Sequence, residues 1–443
     1  MPGLILLILS TGLAYWLTVR SLAWGVCCAL TVGYVHGVLR ANLLDPATTF
    51  LFDGALFGVY AGAYMSRRLS AQAWKTPVGR WAGLLIIWPV LMTLVPINNL
   101  LIQVAALRGA VWYVVLMVVG SRLDVAEVKT IGRWTVGLNV LALAGGLYIY
   151  FFGLPSLYPE NIVTLIAYKS RDVAGGFYRI PSLFLNAHAY GAAMIMSIPL
   201  VASIGLGRQT GADRVLAIIG AVAALAGILM CGARQTVVVA CVATLLMIVV
   251  SRLNLQMIML LLLVIGAGGY AALQNERLQR ALTLTDTDYL QDRVAISVNT
   301  DFFDLLTDYP FGAGMGSAFG SSVPSFLAEY APKQVVGLEN EYSRIHVNQG
   351  VIGLLIWLAF IVWYATRVPG SQKGPLLPAR QLAYSMTITI WMTAWIGAGM
   401  TSAIPSAAMM FLLHGMVVAP ERRLPRPVVS ATPPRPGLAG AAV

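Results

Sequence analysis

Apolar stretches of about 17 to 20 residues recur along nearly the whole chain, and each is long enough to cross a hydrocarbon core about 30 Å thick as a helix. A polytopic, all-α helical bundle follows. Composition agrees: 58% of the residues are hydrophobic and 11% are charged, against roughly 25% charged in average soluble proteins. That balance excludes the two or three soluble domains that 443 residues would otherwise imply.

Runs bounded by charged or turn residues give about thirteen spans, within a range of twelve to fourteen, at 3–19, 22–39, 47–65, 81–97, 100–120, 134–152, 188–206, 215–231, 235–251, 255–272, 351–366, 382–398 and 404–419. Short cytoplasmic loops retain Lys and Arg, so the basic residues orient the chain. Arg67, Arg68, Lys75 and Arg80 fill one loop, Arg122, Lys129 and Arg133 a second, Arg367, Lys373 and Arg380 a third. All three fall on one side, with Arg20, Arg208, Arg214, Arg252, Arg422 and Arg423. That side is cytoplasmic. The excess of 29 Lys+Arg over 18 Asp+Glu, a net +11, therefore reports topology rather than a nucleic-acid partner.

Residues 1–420 then form a single membrane domain, and 421–443, with five prolines among small residues, a disordered cytoplasmic tail. The first apolar run has no basic n-region or cleavage site and is expected to be retained. Cys27, Cys28, Cys231 and Cys241 lie in or beside apolar runs without metal-ligand spacing and read as small core residues.

Two long segments, about 153–187 and 273–350, fall on the external face. The second, just before the last three spans, exceeds any ordinary connection, which usually means function. Within it Leu290, Val294, Val298, Phe302 and Leu306 recur every four residues, the apolar stripe of a helix lying on the bundle or the membrane surface. Pro310-Phe311-Gly312-Ala313-Gly314-Met315-Gly316 should stop that helix. This glycine run follows a helix rather than a strand and lacks a Lys-Ser/Thr, so it reads as a tight turn and not as a nucleotide loop.

A charge inside a bilayer costs at least a few kcal/mol, which makes intramembrane ionisable residues site candidates. Asp53 and Arg108 qualify, either in support of a site or as a pair holding the bundle. His188 and Arg234 open two spans at their external ends. Arg171, Arg179, Arg234, Arg277, Arg280, Arg293 and Arg344 all face outward against the positive-inside trend. They answer either to an anionic ligand or to the carboxylates of the same loops. A guanidinium forks onto two phosphate oxygens and keeps its charge, which suits it to a pyrophosphate handled without metal. There is no zinc spacing and no Ser-His-Asp ordering, and Asp286-Thr287-Asp288 lies in an acidic loop without histidine. No metal or cofactor is expected.

The segment Glu339-Asn340-Glu341-Tyr342-Ser343-Arg344-Ile345-His346-Val347-Asn348-Gln349-Gly350-Val351-Ile352-Gly353 resembles the His-Asn-x9-Gly-x-x-Gly signature of the O-antigen ligase and O-antigen polymerase superfamily, with Asn340, Gly350 and Gly353 in register. Asp292-Arg293 followed by Asp308-Tyr309-Pro310-Phe311-Gly312-Ala313-Gly314 is similar to the family's Arg-containing helix and Pro-x-x-Gly-x-Gly turn. Gly232-Ala233-Arg234-Gln235-Thr236 resembles the arginine-bearing start of a family membrane helix, and Arg179-Ile180-Pro181 through Asn186-Ala187 the stretch before another. The resemblance covers roughly residues 170–366, in order. One position departs: Glu339 stands where the family has histidine.

The resemblance implies a GT-C-like membrane glycosyltransferase of the bacterial inner membrane, working at the periplasmic face by metal-independent inverting transfer. The donor it implies is an undecaprenyl-pyrophosphate-linked oligosaccharide, the acceptor a glycan, with a chain-length regulator as a conceivable further partner. Arg234, Arg293, Arg179 and Arg344 would hold the pyrophosphate, with Asn340, Arg108 and Asp53 in support. Glu339 would accept the acceptor's proton, with His346, about two helical turns on, the second candidate. Family members with a ligase role rely on the histidine, which favours polymerase over ligase here. A lipid-glycan flippase is the alternative of another class, though it has no evident need for nearly eighty external residues rich in arginine.

The orientation has a direct consequence. In Ser322→Cys and Ser430→Cys variants, a membrane-impermeant thiol reagent applied from outside should label position 322 and spare 430. The reverse pattern overturns the topology.

Overall fold

The computed structural model describes residues 1–95, 98–169, 178–205, 210–251, 302–318, 340–370, 374–395 and 402–419, with isolated positions at 266, 270, 327 and 338. Among these every regular element is helical and there is no strand. The main helices are α1 (Pro2–Arg20), α2 (Leu22–Asn42), α3 (Leu51–Met65), α4 (Pro77–Thr93), α5 (Leu100–Val111), α6 (Val115–Gly120) and α7 (Val125–Phe152). They continue as α8 (Ala187–Gly205), α9 (Gly211–Met230), α10 (Arg234–Ser251), α11 (Phe302–Asp308), α12 (Glu341–Ala365), α13 (Leu377–Thr393) and α14 (Ser406–Val418). Helix thus stands on each expected apolar run except 255–272, of which only positions 266 and 270 are described; the residues after 419 lie outside the described ones.

Among the described residues, seven stretches are long and apolar enough to cross a membrane: α1, α2, the α5–α6 pair over Leu100–Gly120, α7, α8, α9 and α12. Pro77–Thr93, Gln235–Leu246 and Ser406–Val418 are apolar but shorter. This is the build of an all-α, multi-pass membrane protein, in which each span closes its own backbone hydrogen bonds.

α8 is the central helix. Nearly all of its residues are buried, and it packs on α7, α9, α10, α13 and α14. In hydrocarbon, burial of apolar side chains drives no helix association, so close backbone approach and interhelical hydrogen bonds have to hold the bundle. The structure supplies both. Asn139 of α7 accepts from the Tyr34 hydroxyl of α2 at 2.9 Å and donates to Ser197 of α8 at 2.8 Å and to the Gly220 carbonyl of α9 at 3.3 Å. One amide thereby joins four helices.

Close approach is carried by Gly54, Gly58 and Gly62, a small residue at every fourth position of α3. A Cβ on Gly58 would strike the α1 backbone at Thr11 and Tyr15, and one on Gly54 or Gly62 would strike Thr11 or Thr18. α1 is otherwise peripheral, with Gly3, Ala14 and Thr18 its only buried residues.

Contacts between helix ends and loops sort into two sets. In one, Gly3 N donates to Asp45 at 3.1 Å, Asn42 to the Leu157 carbonyl, Asn161 to the Ala41 carbonyl, and Arg344 to Ser402. The other holds Arg68 with Glu127, the bidentate Arg133 with Asp213, and Arg380 on the Val417 and Ala419 carbonyls. The second set contains the ends that are basic in sequence. The stretch 154–169 is organised by Tyr158, whose hydroxyl donates to the Ser182 and Phe184 carbonyls while its own carbonyl accepts from Tyr168. Burial pushes the Tyr158 phenol well above its ordinary pKa, so it remains a donor.

The glycine stripe predicts its own test. Gly58→Leu should lower stability in detergent by about 1–3 kcal/mol, read as a drop in thermal midpoint, because rigid backbone faces it. Gly12→Leu, whose Cβ would meet nothing within 4 Å, should be near neutral. Equal shifts would show that α1 does not depend on this contact.

Candidate functional site at the mouth of a kinked helix

The expected eleventh span begins at 351, yet helix α12 already starts at Glu341. Asn340 is the reason: buried at 2% exposure, its side-chain oxygen accepts from the amides of Tyr342 at 2.8 Å and Ser343 at 3.4 Å, a helix N-cap. The polar residues 341–349, read from sequence as a mouth outside the membrane helix, are its first turns.

At Gly350 the helix breaks, with φ +70° and ψ −178°, a conformation open to glycine and costly for other residues. Amides and carbonyls released there are taken up by the glycine turn. Ala313 N donates to the Val347 carbonyl at 2.8 Å, and Val351 N donates to the Pro310 carbonyl at 3.0 Å. A Cβ on Gly350 would strike the Phe311 backbone, and one on Gly312 would meet Gly350 N and the Val347 carbonyl. The turn is thus a wedge seated in the kink, as expected of a tight turn and not of a nucleotide loop. α11 ends at Asp308, just before it, and packs Phe302 and Leu305 inward; of the expected stripe, Leu290, Val294 and Val298 lie outside the described residues.

Side chains lock the wedge. Asn348 accepts from Gly316 N at 3.0 Å and Ala318 N at 3.3 Å, and Asn98 reaches the Ala313 and Met315 carbonyls and the Ser317 hydroxyl. Trp88 donates to the Gln349 carbonyl at 3.0 Å.

Beside the wedge lies a small cavity of about 50 Å³ between α5, α12, α13 and α14, whose polar lining is Glu341, Arg344, Asn348, Gln349 and Ser402. At 10–15 Å³ or more per water it holds a few waters and no sugar. Glu341 and Arg344 form an ion pair there, with side chains 3% and 14% exposed, and Arg344 also donates to Ser402 at 2.7 Å. Glu341 was not among the residues expected at the site. Its signal was spacing: 341, 344 and 348 fall on one helix face.

The expected site residues distribute as follows. Arg344 and Asn340 belong to this mouth. His346 does not line the cavity; its ring is fully buried and its Nε2 lies 3.0 Å from the Leu305 carbonyl, on the side of α11. The two-turn spacing from Glu339 cannot be followed in the helix, because α12 begins at Glu341 and Glu339 lies outside the described residues. Arg108 and Asp53 pair at 2.8 Å, with the Asp53 carbonyl accepting from Trp112 at 3.1 Å and Arg108 stacked over Phe50 at 5.5 Å. This is the bundle-holding alternative. Arg179 lies 2.8 Å from His188 Nε2, just before α8, so that histidine is satisfied by its loop. Arg234 begins α10 two residues after Gly232, which has φ +62°; its side chain lies outside the described residues, as do Glu339 and Arg293. All four cysteines are free, and no cluster of His, Cys, Asp or Glu among the described residues has the geometry of a metal site.

No protein-family model matches the chain, and no curated protein matches it.

For Asp53 and Arg108, pairing alone and a role at the site predict different outcomes. Arg108→Met strands a buried carboxylate and should cost about 3–5 kcal/mol, whereas Asp53→Leu/Arg108→Met should recover most of that loss. Thermal unfolding of the single and double variants checks it. A double variant as unstable as the single one would refute simple pairing.

Proposed function

We propose that the chain is a membrane glycosyltransferase of about thirteen spans and GT-C-like build that polymerises polyprenyl-pyrophosphate-linked glycan units at its external face. The observation that carries this reading is the buried Glu341–Arg344 pair at the mouth of α12, lined up with Asn348 against a glycine wedge that keeps the mouth in place. A guanidinium placed where water is scarce is suited to a departing pyrophosphate, because charge set in advance stabilises charge that develops.

In this reading the acceptor hydroxyl oxygen attacks the donor's anomeric carbon and the bond from that carbon to the phosphate oxygen breaks. The pyrophosphate leaves with the electron pair, and the hydroxyl proton passes to Glu339. Arg234, Arg293, Arg179 and Arg344 neutralise the leaving group; a pyrophosphate needs no general acid. Arg344 exchanges Glu341 for phosphate oxygens, and the cavity walls part, since about 50 Å³ is too small for a sugar ring.

Purified protein with a lipid-linked repeat-unit donor tests the proposal. The expected product is a ladder of polymer on lipid. Glu339→Gln should lower turnover by about 10²–10⁴, the range of a general base, with donor binding kept. Arg234→Lys and Arg293→Lys should also impair transfer, because lysine keeps the charge and loses the fork. Transfer only to a lipid acceptor would make the protein a ligase. Movement of intact donor across a bilayer without bond formation would make it a flippase, and full turnover in the Gln variant would remove Glu339 from the chemistry.

A further inference from the structure

Two guanidiniums and one carboxylate meet inside the bundle between α2, α3 and α5. Arg108 of α5 holds Asp53 Oδ2 of α3 at 2.8 Å and lies over the Phe50 ring. Arg40, in the last turn of α2, stands within electrostatic reach of both, and His36, one turn before it, within reach of the two arginines. The imidazole is buried, its Nε2 3.4 Å from the Thr49 carbonyl. Even with His36 neutral, the cluster carries one positive charge more than its carboxylate balances.

Two polar atoms of this cluster are left over. Among the described residues Arg40 Nε is buried and meets no acceptor, and Asp53 Oδ1 is buried and meets no donor. Such groups are costly in a protein interior. A cation in the last turn of a helix gains from the carbonyls at its end, and a guanidinium tip can snorkel to the membrane surface. Neither effect satisfies a buried Nε or a buried carboxylate oxygen.

The leftover atoms define the ligand that fits them. It must be an anion, to balance the excess charge; it must accept from a guanidinium; and it must donate to a carboxylate oxygen. An oxyanion that keeps an O–H of its own meets all three conditions. Chloride and sulfate bring no proton at neutral pH, so Asp53 repels them, and water bridges the two atoms but leaves the charge unbalanced. Arg40 is partly exposed while Asp53 and His36 are buried, so the cluster opens at the end of α2. α5 separates it from the mouth of α12: Ala106, Gly109 and Ala110 line the cavity there, whereas Arg108 turns to Asp53.

We propose that Arg40, Arg108 and Asp53 form a second anion site, for a protonated oxyanion of the hydrogen-phosphate class. Arg40 donates to an anionic oxygen, Asp53 Oδ1 accepts the ligand's O–H, and Arg108 holds the carboxylate in place while adding its charge. The site does not rest on the transferase reading.

Binding of radiolabelled inorganic phosphate to the full-length protein in detergent, at constant ionic strength, tests this. Phosphate should saturate one site, with sulfate and chloride weaker competitors by about ten-fold or more, the worth of a hydrogen bond to a charged group. Arg40→Met should weaken phosphate binding by about ten-fold or more and leave the thermal midpoint without phosphate unchanged, because Arg40 Nε makes no bond for the fold to lose. Asp53→Asn should bring sulfate up to the level of phosphate; if that variant does not fold, Arg40→Met decides. Glycerol phosphate competing as well as phosphate identifies the ligand as a phosphomonoester group, and failing to compete identifies free phosphate; either keeps the site. Equal binding of phosphate, sulfate and chloride overturns the proposal, as does unchanged binding in Arg40→Met, or no saturable binding, which leaves a bridging water only. Equal competition by phosphatidylglycerol, whose phosphodiester carries no O–H on phosphorus, assigns Arg40 to lipid headgroups and overturns it too. Binding lost in Arg344→Met and kept in Arg40→Met moves the anion to the mouth of α12 and removes this site.

Discussion

Inside hydrocarbon every backbone amide and carbonyl has to find its partner within the protein, and the kink at Gly350 is where that requirement is hardest to meet. A membrane helix that turns to φ +70° releases groups that water cannot reach. The turn from Pro310 to Gly316 supplies their partners from a different part of the chain, through Ala313 N and the Pro310 carbonyl. Glycine turn and membrane helix are consequently one construction, and the polar row Glu341, Arg344 and Asn348 sits on the helix that the turn braces.

Charge follows the same economy. Asp53 meets Arg108 and Arg133 meets Asp213 between helices, and Glu341 meets Arg344 one turn along α12, each a carboxylate against a guanidinium. The first and last are deeply buried, where an uncompensated charge is expensive; Arg133 with Asp213 is half exposed and worth correspondingly little. An anion arriving at Arg344 therefore competes with an internal carboxylate rather than filling an empty positive site. That competition favours ligands with more than one negative oxygen, since a guanidinium fork gains most from two.

Helices were legible in the sequence because length and unbroken hydrophobicity encode a span locally. The start of α12 was misplaced for a local reason as well: Glu341, Arg344 and Asn348 make its first turns look like loop, although their spacing puts them on one face. The Pro310–Gly316 segment was legible as a turn, but not its seat, since pairing of residues 310–313 with 347–351 is a long-range backbone match that no periodicity records. Asp53 and Arg108 were legible as partners because two opposite charges in apolar runs have few alternatives. The stripe Gly54, Gly58 and Gly62 was in plain view and carried a contact that hydropathy cannot see, because glycine there matters for the space it leaves. His346 stood beside the candidate site in sequence and turned away from it in space, a difference of helical phase.

The contacts of the wedge also set an order of assembly. α1, α2 and α3 pack on one another within the first 65 residues, and α2 and α3 add later partners in Asn139 and Arg108. Trp88 and Asn98, by contrast, bond to Gln349 and to Ala313, Met315 and Ser317, more than two hundred residues later in the chain. Contacts of such separation form late and slowly. During synthesis the contacts among α1, α2 and α3 therefore become available first, and the indole of Trp88 and the amide of Asn98 meet their partners only once the last third of the protein has emerged.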